Sequence, residues 1–378
     1  MKPDKTFPKT KVLISIPWFS PAYKAGGPVQ SIANMVQELN HGYAFYIFCS
    51  NTDLHELPLH ITQTDSWVPF NTYTKVWYAG RPDRSKHLLE QLKIIEPDKL
   101  FITGLFSWHF TMLPLFFCKG PQKILSVRGM LHPGALGQKW MKKKVFLQWM
   151  KWLQLAKRCS FHATDAQEAE HIRKQFGSPV SIYEAGNFPR WIGGDSVLKK
   201  EPGHLKLVSI GIVSPMKNIL LVLQALQHCR GNIAYDIYGP VKEPVYWEHC
   251  LQQIKLLPQN IQVNYHKEIT PDKVPEKLSC SHVFIMPSKS ENFGHAIYEA
   301  LSAGLPVITS GFTPWNKLEE NNAGKNVVAK KEFLQQAIEF FVIMEHDQYE
   351  EWSAAAATYA RAKIDKEHLK EVYKKMFS

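Results

Sequence analysis

The sequence has no D-x-D triplet, no H-E-x-x-H and no C-x-x-C pair. Without these spacings nothing in it asks for a metal ion, and no structural zinc site is expected. Its six cysteines, Cys49, Cys118, Cys159, Cys229, Cys250 and Cys280, are scattered. That suits reduced thiols in a cytosolic protein. No secretory signal is visible, because the apolar run Val12 to Phe19 is too short and reads as a first strand. Leu100 to Cys118 lacks formal charge over 19 residues but contains Gly104, Ser107, His109 and Pro114. It reads as a buried strand and turn, not as a membrane span. Internal repeats and low-complexity segments are also missing. Finally, one stretch lacks acid: Lys119 to Arg158 holds ten basic residues and no acidic one.

That stretch accounts for much of the net charge of +11. Residues 1–200 carry 26 Lys/Arg against 14 Asp/Glu, whereas residues 201–378 carry 19 against 20. The positive excess therefore lies in the N-terminal half, where it would attract lipid headgroups, phosphates or nucleic acid. Hydrophobic residues make up 45% of the 378, so the chain is globular, and its length suits two domains.

Strand-like runs recur at Val12–Ile16, Ala44–Cys49, Leu100–Thr103 and Lys123–Val127, with helical patterns such as Val29–Leu39 and Lys86–Ile95 between them. The alternation predicts a parallel sheet covered by helices. Pro189 to His204, rich in Gly, Pro and charge, reads as a linker. A second series follows: strand Leu205–Ile210, helix Ile219–His228, then strands Ile233–Tyr238, Ile261–Tyr265, Val283–Met286 and Val307–Thr309. Tyr349–Phe377 reads as one long, polar-faced final helix.

The most informative segment runs from Val283 to Thr309. An apolar strand leads into Pro287-Ser288-Lys289-Ser290-Glu291-Asn292-Phe293-Gly294, then a helical pattern, then a second strand. A glycine at the mouth of the helix leaves backbone N–H groups available to an anion. Glu291 and Glu299 flank the same turn, and a phosphate site edged by carboxylates suits a sugar nucleotide, whose hydroxyls need acceptors.

This segment resembles the E-x7-E signature of retaining, family-4-type glycosyltransferases of the GT-B architecture. The E-N-F-G-H, E-A-L and G-x-P-V pieces and Thr313-Pro314-Trp315 match as well. The resemblance implies an α/β fold of two Rossmann-like domains with parallel sheets facing a central cleft. The expected division is 1–190 for acceptor binding, 191–350 for the nucleotide sugar, and a helix over 351–378 crossing back to the first domain. By resemblance, Glu291 contacts the donor sugar, Glu299 holds the ribose hydroxyls, and Asn292, Phe293 and Gly294 offer N–H groups to the diphosphate.

Other motifs carry further expectations. Ser209 to Asn218 resembles G-R-x-S-P-x-K-[GN], whose Arg and Lys grip the diphosphate; Ser214 and Lys217 match, but Ile212 stands where the Arg is usual. Lys267 stands where the family has Gly, at the strand that ends beneath the nucleotide base. Gly26 and Gly27 follow the first strand, and the resemblance turns their loop towards the donor phosphates and the acceptor. Arg128 and His132, in Ser126-Val127-Arg128-Gly129-Met130-Leu131-His132-Pro133-Gly134, are candidate acceptor contacts. His162-Ala163-Thr164-Asp165 with Glu168 fits the family's strand at the end of the first domain.

On a helical wheel of residues 139–158, Met141, Val145, Trp149, Trp152, Leu153 and Ala156 form one side. Lys139, Lys143, Lys144, Lys151, Lys157 and Arg158 form the other, interrupted by Trp140, Leu147 and Met150. A helix packed on the sheet with solvated lysines accounts for this, as does a helix lying on anionic lipid. The mixture of aromatic and basic residues favours the membrane, with Trp140, Lys142, Lys143, Lys144, Leu147 and Lys151 at the surface.

The sequence thus predicts a retaining, metal-independent glycosyltransferase without a cofactor. Its co-substrate is a nucleoside-diphosphate sugar, UDP favoured over GDP, and its acceptor a saccharide, lipid-linked through polyprenyl diphosphate. Glu291 and Lys217 are the expected catalytic residues. The setting is surface polysaccharide or lipopolysaccharide synthesis at the inner face of the cytoplasmic membrane. An inactive nucleotide-sugar binder of the same fold, with Ile212 as its lesion, and a basic nucleic-acid binder are the alternatives.

Overall fold

The computed structural model describes residues 10–61, 63–132, 136, 140–177, 180–194 and 197–378. The chain divides into two compact units, Met1–Phe188 with Lys366–Ser378, and Pro189–Asp365.

The first unit runs β1 (Thr10–Ser15), α1 (Gly27–Glu38), β2 (Tyr43–Ser50), β3 (Trp67–Asn71), β4 (Thr74–Ala79), α2 (Arg84–Ile95), β5 (Lys99–Thr103), α3 (Leu113–Phe117), β6 (Gln122–Ser126), α4 (Trp140–Trp152), β7 (Ser160–Ala163), α5 (Ala166–Phe176) and β8 (Ile182–Glu184). Its sheet has the order β3-β4-β2-β1-β5-β6-β7-β8. Every neighbouring pair is parallel except β3 with β4. Buried apolar residues continue along most of each central strand, as expected where helices cover both faces. The β3–β4 hairpin has no counterpart among the expected strands. Pro69 disguises β3 in the sequence and is tolerated because β3 lies at the sheet edge.

The second unit runs β9 (His204–Ile210), α6 (Ile219–Leu226), β10 (Asn232–Tyr238), α7 (Pro244–Ile254), β11 (Ile261–Tyr265), α8 (Val274–Ser279), β12 (Val283–Met286), α9 (His295–Ser302), β13 (Val307–Ser310), β14 (Gly324–Val327), α10 (Lys331–Val342) and α11 (His346–Lys363). The sheet order is β11-β10-β9-β12-β13-β14, all parallel. The strand order reverses between β9 and β12. The loops leaving the carboxyl ends of two such strands diverge and leave a crevice for a ligand.

The single final helix expected over residues 349–377 is instead two helices, α11 and α12 (Lys366–Phe377). Ile364 is extended, with φ −123° and ψ 109°, and ends α11 without a Gly or Pro. α11 buries Tyr349, Trp352, Ala356 and Ala360 in the second unit. α12 buries Tyr373, Met376 and Phe377 against Val12, Phe45 and Phe101 of the first. Lys366 also pairs with Glu38 of α1 at 2.8 Å.

Among the described residues no helix is long and apolar enough to cross a membrane. The 100–118 segment is strand β5, a wide helical turn at Trp108–Met112 and α3.

Candidate active site

In the second unit, the loops after β9 and β12 carry the residues singled out by the E-x7-E segment and the Lys217 motif. They are stitched together by one backbone and one side-chain bond: Lys289 N–H donates to the Met216 carbonyl at 2.8 Å, and Asn218 Nδ2 to the Pro287 carbonyl at 3.3 Å. Asn218 starts α6 in the left-handed region, φ +62°, a conformation asparagine tolerates better than most residues. Across this seam Lys217 Nζ forms an ion pair with the Glu291 carboxylate. Ser288 Oγ donates to the same oxygen, Oε1, at 3.0 Å. The Lys217 and Glu291 side chains are 23% and 11% exposed, so the pair is sheltered yet reachable.

Gly294 begins α9 with φ +75°. A Cβ there would come within 3.2 Å of Ile297 Cδ1 and 3.3 Å of Trp315 Nε1. Conformation and crowding therefore both call for glycine. Trp315 Nε1 donates to the Phe293 carbonyl at 2.5 Å, and Glu291 N–H donates to the Phe312 carbonyl at 3.1 Å. The Asn292–Phe293–Gly294 turn is thus held from outside at the positive end of the helix, where an anion is stabilised.

Glu299 lies farther into α9, with its side chain 9% exposed. Arg190 Nε donates to its Oε1 at 3.1 Å, and Arg190 Nη1 to the Pro271 carbonyl at 3.0 Å. Burial raises the Glu299 pKa, and the Arg190 charge and hydrogen bond oppose that rise. Arg190 did not figure in the sequence reading. It lies in the stretch read as linker, and its only sequence signal is a lone Arg-Trp pair there.

At the ends of β10 and β11, His266 stacks on Tyr238 at 4.5 Å and 11°, and His266 Nε2 meets Asp236 Oδ1 at 2.7 Å. Lys267, at the family's Gly position, keeps the glycine-like conformation with φ +60°; its carbonyl accepts from Gly239 N at 2.6 Å. Ser214 is buried, and its carbonyl accepts from Lys217 N at 3.0 Å. Among the described residues no group of three His, Cys, Asp or Glu is placed to hold a metal ion.

Comparison with solved structures follows the whole chain. Sucrose-phosphate synthase of Thermosynechococcus elongatus superposes with a TM-score of 0.73 at 15% identity, covering 98% of this chain and 99% of that one. HepE of Anabaena, in complex with UDP and glucose, gives 0.71 at 15%, covering 97% and 99%. WaaG, a glycosyltransferase involved in lipopolysaccharide biosynthesis, gives 0.68 at 12%, covering 97% and 99%. The fold is GT-B. Residues 195–359 match the family model described as "Glycosyl transferases group 1". No curated protein matches the chain by sequence.

The remaining candidates belong to the first unit of the GT-B chain. Gly26, φ +81°, caps α1, and Gly27 and Pro28 open the helix in solvent. Arg128 lies two residues past the end of β6, with φ +50°. Its Nη1 donates to Asn187 Oδ1 at 2.6 Å, while Nε and Nη2 have no partner among the described residues. Burial lowers its pKa, partly offset by Tyr373 and Glu168. His132 is half-buried and meets the His171 ring edge-on at 5.5 Å. Pro133 and Gly134 lie outside the described residues. Glu168 accepts from the Gly129 and Thr164 N–H groups and from Thr164 Oγ1, so it ties β6, β7 and α5 together.

Helix α4 corrects the expected wheel. Leu147 and Met150, assigned to the basic side, are 4% and 0% exposed and pack in the core with Leu155. Leu147 is therefore not a surface residue. Met141, Val145 and Trp152, assigned to the apolar side, are 65%, 70% and 77% exposed. Lys142, Lys144 and Lys151 share that exposure, and Lys143 lies 5.4 Å from the Phe106 ring. Lys139 and the side chain of Trp140 lie outside the described residues. The wheel went wrong because apolar residues surround much of this helix, so periodicity alone does not choose the buried face.

Proposed function

We propose that this chain is a retaining glycosyltransferase that moves a sugar from a nucleoside-diphosphate sugar to a saccharide hydroxyl. The Lys217–Glu291 pair at the mouth of α9 carries the reading. It sets a cation, a carboxylate and the positive end of a helix around one crevice, at the point where the strand order reverses. The diphosphate is held by Lys217 and the Asn292–Phe293–Gly294 amides, with Ser214 at the base of the loop. Both oppose the charge that builds as the nucleoside diphosphate leaves. Glu291 faces the donor sugar and Glu299 the ribose. Attack by the acceptor hydroxyl from the face of the departing diphosphate retains the anomeric configuration without an enzyme nucleophile.

The chemistry is proposed to need no metal, since Lys217 and the helix mouth take the role a divalent cation would have. A UDP-sugar is favoured over a GDP-sugar as donor, because HepE is solved with UDP and with UDP-glucose. The acceptor is proposed to be lipid-linked, in surface polysaccharide assembly; WaaG, of the same fold, serves lipopolysaccharide synthesis. In the first unit, Gly26 and Gly27 are proposed as phosphate-facing backbone, and Arg128 and His132 as acceptor contacts. The domain roles follow, acceptor on the first unit and donor on the second. Exposed Met141, Val145 and Trp152 among Lys142, Lys144 and Lys151 suit an anionic membrane surface at the cytoplasmic face.

A thermal-shift screen of UDP, GDP and ADP tests the donor site. A bound nucleotide at about 100 times its Kd adds roughly 2.7 kcal/mol to stability. No shift with any of the three refutes the reading. Release of UDP from UDP-glucose, measured with and without excess EDTA, then tests the metal-free chemistry; complete loss in EDTA, restored by Mg²⁺ or Mn²⁺, refutes that part.

A further inference from the structure

We propose that Arg190 is a positioning residue for nucleotide recognition: it ties down one oxygen of Glu299 and thereby presents a charged carboxylate in one orientation to the ribose hydroxyls. The inference rests on the reading of Glu299 as the ribose ligand and adds the group that makes that ligand competent.

A carboxylate sunk into a helix face has two faults as a hydroxyl acceptor. Burial favours its neutral form, and its rotamers leave the oxygens unaimed. Arg190 opposes the first and removes the second. Its Nε bonds Oε1 at 3.1 Å, and no other side chain among the described residues bonds this carboxylate. Oε2 therefore remains for a hydroxyl. A charged acceptor bonds a hydroxyl more strongly than a neutral one, and an acceptor already fixed loses less freedom on binding.

Arg190 is itself built in. Its Nη1 is anchored on the Pro271 carbonyl at 3.0 Å. Two residues on, Ile192 N–H donates to Ser302 Oγ at 3.1 Å, and Ser302 Oγ donates to the Glu299 carbonyl at 2.9 Å. Glu299 and Ser302 lie three residues apart on one helical face, so the 190–192 segment is fastened to that face at two points. Trp191, between them, packs edge-on to Tyr298 and lies under the Arg361 guanidinium at 4.7 Å. Asp272, on the Pro271–Lys273 turn that anchors Nη1, feels the Arg190 charge, and Lys273 beside it has the opposite sign. On α9 itself, His295 stands one turn before Glu299.

The test is calorimetric titration of wild type, Arg190→Gln, Arg190→Lys, Glu299→Gln and the Arg190→Gln/Glu299→Gln double variant. The ligands are the tightest binder among UDP, GDP and ADP and its 2′,3′-dideoxy form, from pH 5.5 to 8. Arg190→Gln should weaken binding about ten-fold near neutrality, the size of one charge-assisted hydrogen bond. The deficit relative to wild type should grow towards pH 5.5, because Glu299 without its cation takes up a proton at higher pH. Titration of the terminal phosphate is common to both proteins and cancels in the ratio. Discrimination against the dideoxy nucleotide should fall to the Glu299→Gln level, and the double variant should be no weaker than Glu299→Gln alone. Arg190→Lys keeps the charge but not the Nε donor, so it should follow the wild-type pH profile with reduced discrimination; it carries the test if Arg190→Gln does not fold. Unchanged affinity, pH profile and discrimination in Arg190→Gln overturn the proposal while the donor site stands. A Lys variant with full wild-type discrimination overturns the aiming role. If wild type binds none of the three nucleotides, the donor-site reading itself fails.

Discussion

Lys217 and Glu291, 74 positions apart, meet as an ion pair between the loops that follow β9 and β12. Under the proposed function each would exchange its partner for part of the donor: the ammonium for a phosphate, the carboxylate for a sugar hydroxyl. Paired, the two charges neutralise each other in a sheltered place where either alone would be costly.

Lys217→Ala should reduce kcat about 100-fold or more, since Ile212 supplies no second cation to the leaving group. Ile212→Arg should raise activity. Steady-state rates of nucleotide release decide both, and a Lys217→Ala enzyme with wild-type kcat refutes the assignment.

Glu299→Ala should weaken binding of the free nucleoside diphosphate by about 1.5–3 kcal/mol for each charge-assisted bond removed. Glu291→Gln should leave that affinity nearly intact and lower turnover, because the free diphosphate lacks the sugar. Calorimetry beside kinetics separates the two carboxylates; the reverse pattern would exchange their roles.

On α4, Lys142→Gln/Lys143→Gln/Lys144→Gln and, separately, Met141→Ser/Val145→Ser/Trp152→Ser should each release the protein from anionic vesicles. Each lysine near such a surface contributes about 1 kcal/mol, lost with rising salt. Leu147→Ala should instead destabilise the first unit by about 2–5 kcal/mol, because Leu147 is 4% exposed. Co-sedimentation measures the first two and urea unfolding the third. Wild type that stays in the supernatant at low salt removes the membrane from the proposal.

Acid should weaken both units. His162, between Ser126 Oγ and the Ala185 carbonyl, has its pKa lowered to about 3 by burial, reinforced by Arg128. His282, bonded to the Lys199 carbonyl and the Lys206 N–H, is lowered to about 4, again chiefly by burial. A depressed histidine contributes stability that is fully present above its unfolded pKa, near 6.5, and is lost as pH falls towards the folded value. Each should cost about 1.4 kcal/mol per pH unit through that window. Unfolding followed between pH 7 and 4.5 should show the slope, and His162→Gln and His282→Gln should each flatten their own unit's share. A flat profile in wild type contradicts the prediction.

Much of this was legible in the sequence because it is local. Unbroken apolar runs such as Val283–Met286 announce strands buried on both faces, and a glycine before an amphipathic run announces a helix mouth. Both depend on neighbours a few residues away. The edge strand β3 escaped because Pro69 contradicts strand chemistry except at an edge, and nothing local says where the edge is. The split at Ile364–Asp365 escaped because Asp365, a residue type suited to starting a helix, was the only punctuation inside an otherwise helical pattern.

The sequence by itself therefore determined most of the element types, the alternation that builds two parallel sheets, and the identity of the turn carrying Glu291, Gly294 and Glu299. Only the tertiary structure decided which groups meet. Lys217 joins Glu291 because strand order brings distant loop ends together, and Arg190 joins Glu299 because the segment before β9 packs on α9; no periodicity encodes a partner 74 or 109 positions away. It also decided which side of α4 is buried. Apolar residues surround much of that helix, and what selects one face is the shape of the core already formed beneath it.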